Sequence, residues 1–168
     1  MRVLAAVVTA AVLSSLAACS PSAGDADTAP GILHGPYPVV RTVDGDTIRV
    51  DRNGEEIVIR FIGLDTPETV AADRPVECFG PEASARTAEL VDGGEVWLEY
   101  DEVSGLTDKY DRTLAFVWLD QQTMLNELLI REGFAEELTY TEGYAHAEDF
   151  RAAESRARDA RAGLWGAC

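Results

Sequence analysis

The chain has 168 residues, 46% of them hydrophobic, which suffices for one domain with a buried core and leaves little room for two. Thirty acidic residues against fourteen basic ones give a formal net charge of -16. That sign excludes a nucleic-acid binder working by bulk phosphate neutralisation, although screening at physiological salt confines surface charges to a range of roughly 8 Å.

In chain order, Met1-Arg2 opens a short positive region and Val3 to Leu16 is an apolar and small-residue run. This run is too short to remain as a membrane-spanning helix, so residues 1–18 read as a secretory signal. The ending Leu16-Ala17-Ala18-Cys19 resembles the bacterial lipobox, in which the cysteine becomes the lipidated first residue of the mature chain. The alternative is an ordinary signal peptide that contains a cysteine. Loss of Arg2 with the signal takes the net charge from -16 to -17. Residues 19–36 are rich in Ser, Pro, Gly, Ala, Asp and Thr and are expected to be a flexible tether, with the folded domain spanning 37–168. These features predict an exported protein held by a lipid on Cys19 at the extracytoplasmic face of the cell membrane. With Cys19 lipidated, Cys78 and Cys168 are left as a pair in an oxidising compartment, where a disulfide is expected. It would close a long loop, worth roughly 4 kcal/mol in the chain-entropy description.

Valine-rich Tyr37 to Val43 predicts a first strand leading into the turn signal Asp44-Gly45, and Thr47 to Val50 alternates as a second. After Asn53-Gly54, a third strand from Glu55 to Ile62 puts Ile57, Ile59 and Phe61 on one face and Arg60 on the other. Gly80-Pro81-Glu82 starts a helix that ends at Gly93-Gly94. Strands follow at Glu95 to Tyr100 and Thr113 to Leu119, separated by a polar loop. Leu125, Leu128 and Leu129 mark a helix from Met124 to Glu132, and a last helix runs from about Ala145 to Ala162 with Phe150, Ala153, Ala157 and Ala160 on one face. Five short strands and three helices form an α+β domain, the strands sufficing for a closed or nearly closed barrel. Trp97, Trp118 and Trp165 are expected to pack, and neither His34 nor His146 has an evident partner.

Arg60-Phe61-Ile62-Gly63-Leu64-Asp65-Thr66-Pro67-Glu68 gathers an arginine and two acids around a proline turn. Taken alone it reads either as a cation- and phosphate-binding segment or as an amphipathic strand ending in a solvated turn. Two further motifs accompany it, Val43-Asp44-Gly45-Asp46-Thr47 and Thr107-Asp108-Lys109-Tyr110-Asp111-Arg112-Thr113-Leu114-Ala115. Together with Asn126-Glu127 and Gly163-Leu164-Trp165 they resemble the staphylococcal nuclease, or thermonuclease, family over nearly all of the domain.

The resemblance implies a five-stranded OB-fold barrel with three helices and a Ca²⁺-dependent endonuclease acting on DNA and RNA. It implies metal ligation by Asp46, Asp65 and the carbonyl of Thr66, phosphate contacts from Arg60 and Arg112, and Glu68 as general base. Lys109 and Tyr110 match positions that flank the bound nucleotide, whereas Tyr140 falls one position out of register and inherits no role. The residue types suit the chemistry, because a cation and two guanidinium forks stabilise the negative charge that builds on a phosphodiester under attack by water. With only two side-chain carboxylates on the metal, calcium affinity is expected to be weak. Beyond nucleic acid and the lipid anchor no partner is expected, and the protein is expected to be a monomer. The competing reading is an OB-fold module, weak or inactive in catalysis, that binds an oligonucleotide or a protein.

Overall fold

A computed structural model describes residues 31–69, 75–140 and 143–168. The expected signal segment, Cys19 and most of the tether lie outside the described residues.

Alternating branched and aromatic residues build β1 (Leu33–Thr42), β2 (Thr47–Arg52) and β3 (Glu55–Phe61), paired in antiparallel succession. The β2–β3 turn uses Asn53 and Gly54 with φ of 58° and 90°, a left-handed backbone that these residue types accept. The chain continues through β4 (Leu64–Asp65), α1 (Gly80–Val91), β5 (Glu95–Glu99) and β6 (Thr113–Trp118). It ends with α2 (Leu125–Arg131), β7 (Glu136–Glu137), α3 (Ala147–Asp159) and α4 (Leu164–Ala167). Five strands close a barrel in the order β1-β2-β3-β6-β5, the OB-type α+β architecture expected. Only the β3–β6 contact is parallel, with Ile59 opposite Thr113 and Arg60 opposite Leu114.

Ile48, Val50, Ile59, Phe61, Leu98 and Phe116 are buried in the core, as are Leu125 and Leu129 of α2 and Phe150 of α3. Buried Ala153 and Ala157 let α3 lie close to its neighbours. Asn126 is wholly buried on α2, where it accepts the Val117 N–H (2.8 Å) and donates to the Ile62 carbonyl (2.9 Å). Its amide thereby satisfies two backbone groups that the barrel leaves open.

Several details depart from the expectations. The first strand starts at Leu33, not Tyr37, because Leu33 and His34 pair with Glu99 and Leu98 of β5; the end of the expected tether is thus part of the barrel. β4 and β7 pair with each other as a separate two-stranded sheet, too short for any periodicity to reveal. α3 spans Ala147–Asp159 within the longer expected stretch, and a fourth short helix, α4, follows Gly163. Cys78 and Cys168 are joined by a disulfide, with Cα atoms 6.1 Å apart.

Both histidines have neighbours. His34 lies against Tyr100, ring centroids 5.0 Å apart, and His146 sits edge-on to Phe116 at 4.6 Å. His146 Nε2 also meets Glu99 Oε1 at 3.1 Å. Glu99 is only 3% exposed and accepts further hydrogen bonds from Trp118 Nε1 (2.8 Å) and the Gly31 N–H (3.0 Å). Burial acting alone would raise the Glu99 carboxyl, but the contacts with His146, Trp118 and Gly31 outweigh it and hold the group below its ordinary value. A carboxyl depressed in the folded state contributes stability above its unfolded pKa, and that contribution is lost as pH falls through the folded value. Glu99→Gln is therefore expected to cost about 1–3 kcal/mol near neutral pH. The advantage of the wild type should shrink as pH drops below the ordinary glutamate value of about 4.3. Urea denaturation of both proteins across that range measures the effect, and a pH-independent difference would contradict it.

Candidate active site

The barrel brings the three motifs to one place through strand register. Thr47 of β2 lies opposite Arg60 of β3, so Asp46 enters β2 beside that arginine. On the other edge of β3 the parallel pairing sets Thr113 opposite Ile59, so Arg112 approaches from the start of β6. β4 follows directly from β3 and carries Asp65.

Arg60 is 6% exposed and spans two carboxylates, Nη1 to Asp46 Oδ2 at 2.8 Å and Nη2 to Asp65 Oδ1 at 2.7 Å. Burial by itself would weaken its hold on the proton, but Asp46, Asp65 and Tyr140 more than offset this and hold its pKa above the ordinary arginine value. Asp46, also 6% exposed, takes further hydrogen bonds from the Thr66 N–H (3.1 Å), Thr66 Oγ1 (3.2 Å) and Thr47 Oγ1 (2.9 Å). Asp44 accepts the Asp46 N–H at 3.1 Å, and burial together with the Asp46 charge pushes its carboxyl up to about 7. Asp65 is likewise held above the usual carboxylate range, by desolvation and by Asp46, with Arg60 pulling the other way.

The turn bearing these acids is held from outside. Thr87 of α1, wholly buried, donates from Oγ1 to the Gly45 carbonyl at 2.7 Å. Gly45 must lack a side chain, because a Cβ there would fall 2.6 Å from Thr66 Oγ1.

Arg112 is clamped by Asp108, with Nε and Nη2 each 2.7 Å from Oδ2, and its guanidinium lies 5.5 Å from the Tyr110 ring centre. Lys109 Nζ stands 4.9 Å from the same ring. Asp108 Oδ1 accepts the N–H groups of Tyr110 and Arg112 at 2.9 and 3.0 Å, which shapes the loop presenting all three residues.

A cavity of about 410 Å³ opens on this group, lined by Asp44, Asp46, Arg60, Asp65, Thr66, Glu68, Glu77, Arg112 and the rings of Tyr110 and Tyr140, with Pro67. Beside it a second cavity of about 490 Å³ has an apolar floor that includes Phe61, Ile62, Leu114 and Leu138, with Lys109 and Tyr110 among its walls. Asp46, Arg60, Asp65, Thr66, Glu68 and Arg112 therefore face one space, and Lys109 and Tyr110 face the adjoining one. Cys78 and Cys168 line neither.

Four residues that belong here receive no site role from the sequence. Tyr140 lines both cavities despite its shifted register, because the Leu138 N–H donates to the Gly63 carbonyl (3.0 Å) and carries the segment over the site. Glu77 lines the cavity from just before α1, Asp44 stands behind Asp46, and Thr87 braces from a helix; no local pattern marks such roles.

Five carboxylates and two guanidiniums line the first cavity, an excess of negative charge around oxygen donors that a hard divalent cation would largely offset. Among the described residues no group of three or more His, Cys, Asp and Glu side chains could hold a metal by itself.

Thr87→Val keeps the shape of the side chain and removes the bond to Gly45. It is expected to cost about 1–3 kcal/mol, leaving the Gly45 carbonyl unsatisfied. Denaturant melts measure it, and unchanged stability would show that α1 does not brace this turn.

Residues 58–167 match the family model described as staphylococcal nuclease homologue. The chain is 42% identical over 129 residues to a thermonuclease of Staphylococcus hyicus, covering 77% of this chain and 75% of that one. A thermonuclease of Staphylococcus intermedius is 39% identical over the same extent and coverage. Endonuclease YncB of Bacillus subtilis is 36% identical over 126 residues, which is 74% of this chain and 59% of that protein. With the motifs converging on one cavity in a five-stranded barrel, the chain belongs to the staphylococcal nuclease family.

Proposed function

We propose that this protein is a calcium-dependent endonuclease that hydrolyses phosphodiester bonds of DNA and RNA at the cell surface. The observation that carries the reading is the shared cavity, where Arg60, Arg112, Glu68, Asp46 and Asp65 meet at one face of the barrel. Relatives bearing the names thermonuclease and endonuclease support it.

Asp46, Asp65 and the Thr66 carbonyl would hold a calcium ion, which when bound supplies positive charge at a phosphoryl oxygen and lowers the cost of charge developing there. Arg60 and Arg112 each present a planar fork to the non-bridging oxygens. Their grip tightens as negative charge accumulates, so it favours the transition state over bound substrate. Without substrate both forks are engaged, Arg60 by Asp46 and Asp65 and Arg112 by Asp108, so these ion pairs are exchanged for contacts to the cation and the phosphate on binding. Glu68 orients the attacking water and accepts its proton. In the adjoining cavity Tyr110, Tyr140 and Lys109 flank the nucleotide, rings against a base and ammonium against a phosphate.

The protein is further proposed to be exported and anchored through lipid on Cys19, acting as a monomer. Cys19→Ala should move the protein from the membrane fraction to the medium; an unchanged distribution would overturn the anchor without touching the catalytic reading.

One observation favours the competing module that binds without cleaving, namely the net charge of -16, which repels a polyanion. Against it stands the completeness of the reacting set. Purified protein should cleave DNA and RNA with Ca²⁺ and stop when a chelator is added. Arg60→Lys and Arg112→Lys should each lower kcat by about 10²–10³, because an ammonium cannot reproduce two parallel hydrogen bonds. Binding without cleavage would favour the module, and full rate in the Lys variants would remove the roles assigned to both arginines.

A further inference from the structure

Glu68 lies beyond the end of β4, on a segment whose far end is Glu77-Cys78. The two ends are joined reciprocally. The Glu68 N–H donates to Glu77 Oε2 at 3.0 Å, and the Glu77 N–H returns to the Glu68 carbonyl at 2.9 Å. Gly80 packs so closely on this junction that a Cβ would fall 2.9 Å from the Glu68 carbonyl oxygen. Glu68 Oε1 in turn accepts the Thr69 N–H at 2.9 Å, so the carboxylate is set by the backbone around it.

Glu77 itself is exposed, and a hydrogen bond in water contributes little to holding a segment still. The covalent bond of the next residue is different. Cys78 is tied to Cys168 at the end of α4, and α4 is fixed to the body of the protein where the Leu164 N–H donates to the Gly133 carbonyl at 2.9 Å, just past α2. A continuous path therefore runs from α2 through α4 and the disulfide to Glu77 and Glu68. The barrel closes through its own strand pairs, and the disulfide takes no part in them.

We propose that the Cys78–Cys168 disulfide is a positioning element for Glu68, acting through the backbone of Glu77, so that the enzyme reaches full turnover only once that bond has formed. The inference rests on the reading of Glu68 as the base. Both cysteines are exposed, open to thiol–disulfide exchange. On formation, the two thiols each release a proton, their sulfurs join, and two electrons pass to the disulfide of an exchange partner, which leaves as a dithiol. Reduction runs the same steps backwards with a dithiol as donor. A reducing interior would thus hold the chain at low activity, and an oxidising exterior would complete it.

The test compares the full chain, oxidised and after dithiothreitol, on a defined oligonucleotide with Ca²⁺, at a temperature where circular dichroism reports both forms folded. Reduction should lower kcat about 10- to 100-fold while KM changes less than about twofold, since a misplaced base slows the chemical step without weakening binding. Reoxidation should restore the rate, and Cys78→Ser/Cys168→Ser should match the reduced wild type. Glu68→Gln should be slow in both redox states, with no further loss on reduction. If Glu68→Gln is slow but reduction leaves wild-type kcat unchanged, the positioning role is overturned and the catalytic reading stands. If Glu68→Gln is as fast as the wild type, the assignment of the base fails and this inference with it. A reduced chain unfolded at every temperature would mark the bond as a stabiliser of the fold and would also overturn the proposal.

Discussion

A guanidinium at 6% exposure is costly unless its charge is matched, and Arg60 is matched on two sides. The requirement reaches well beyond the pair of salt bridges. Asp46 must be delivered by the β1–β2 turn, so that turn is braced by Thr87 and narrowed at Gly45 to admit Thr66. Asp65 must follow at once from β3, so the strand breaks at Ile62-Gly63 and resumes as a two-residue strand paired with β7. The parallel β3–β6 contact then brings Arg112, far away in the chain, to the same end of the barrel. The groups proposed to react and the groups that stabilise the fold are the same residues here. Removing Arg60 would leave Asp46 buried and unpaired, and removing Asp46 would strand Arg60.

Electrostatics at the site runs against the charge of the whole. The cavity itself is net acidic, so a phosphate entering it meets repulsion as well as two guanidiniums. A divalent cation bound there would offset most of this excess locally, and over a range of roughly 8 Å at physiological salt only local charge counts for much. The strongly negative surface is then compatible with chemistry on a polyanion, provided the cation and the arginines lie within that range of the scissile group.

Much of this was legible in the sequence because it is written in local patterns. The strand from Glu55 shows period-two alternation through Ile57, Ile59 and Phe61, Asn53-Gly54 announces a hairpin, and Arg60, Asp65 and Glu68 lie within nine residues of one another. What stayed hidden depends on distant contacts. Nothing near His146 hints at Glu99, because their meeting requires the residue preceding α3 to come against the end of β5 and against β6. Register alone gives Tyr140 no role, yet it is the backbone bond from Leu138 to Gly63, not residue number, that brings it over the cavity. The start of β1 was missed for a related reason: Leu33 and His34 are strand residues only by virtue of β5.

Asn126 has an implication for anyone who would transplant this arrangement. Its amide is the joint where α2 meets both Val117 and Ile62, and Ile62 sits between Arg60 and the segment that carries Asp65. An apolar replacement would leave a buried donor and a buried acceptor bare at the hinge of the reacting stretch. Grafting only the charged residues onto another five-stranded scaffold would omit that joint, and the spacing between arginine and acid would be left to chance.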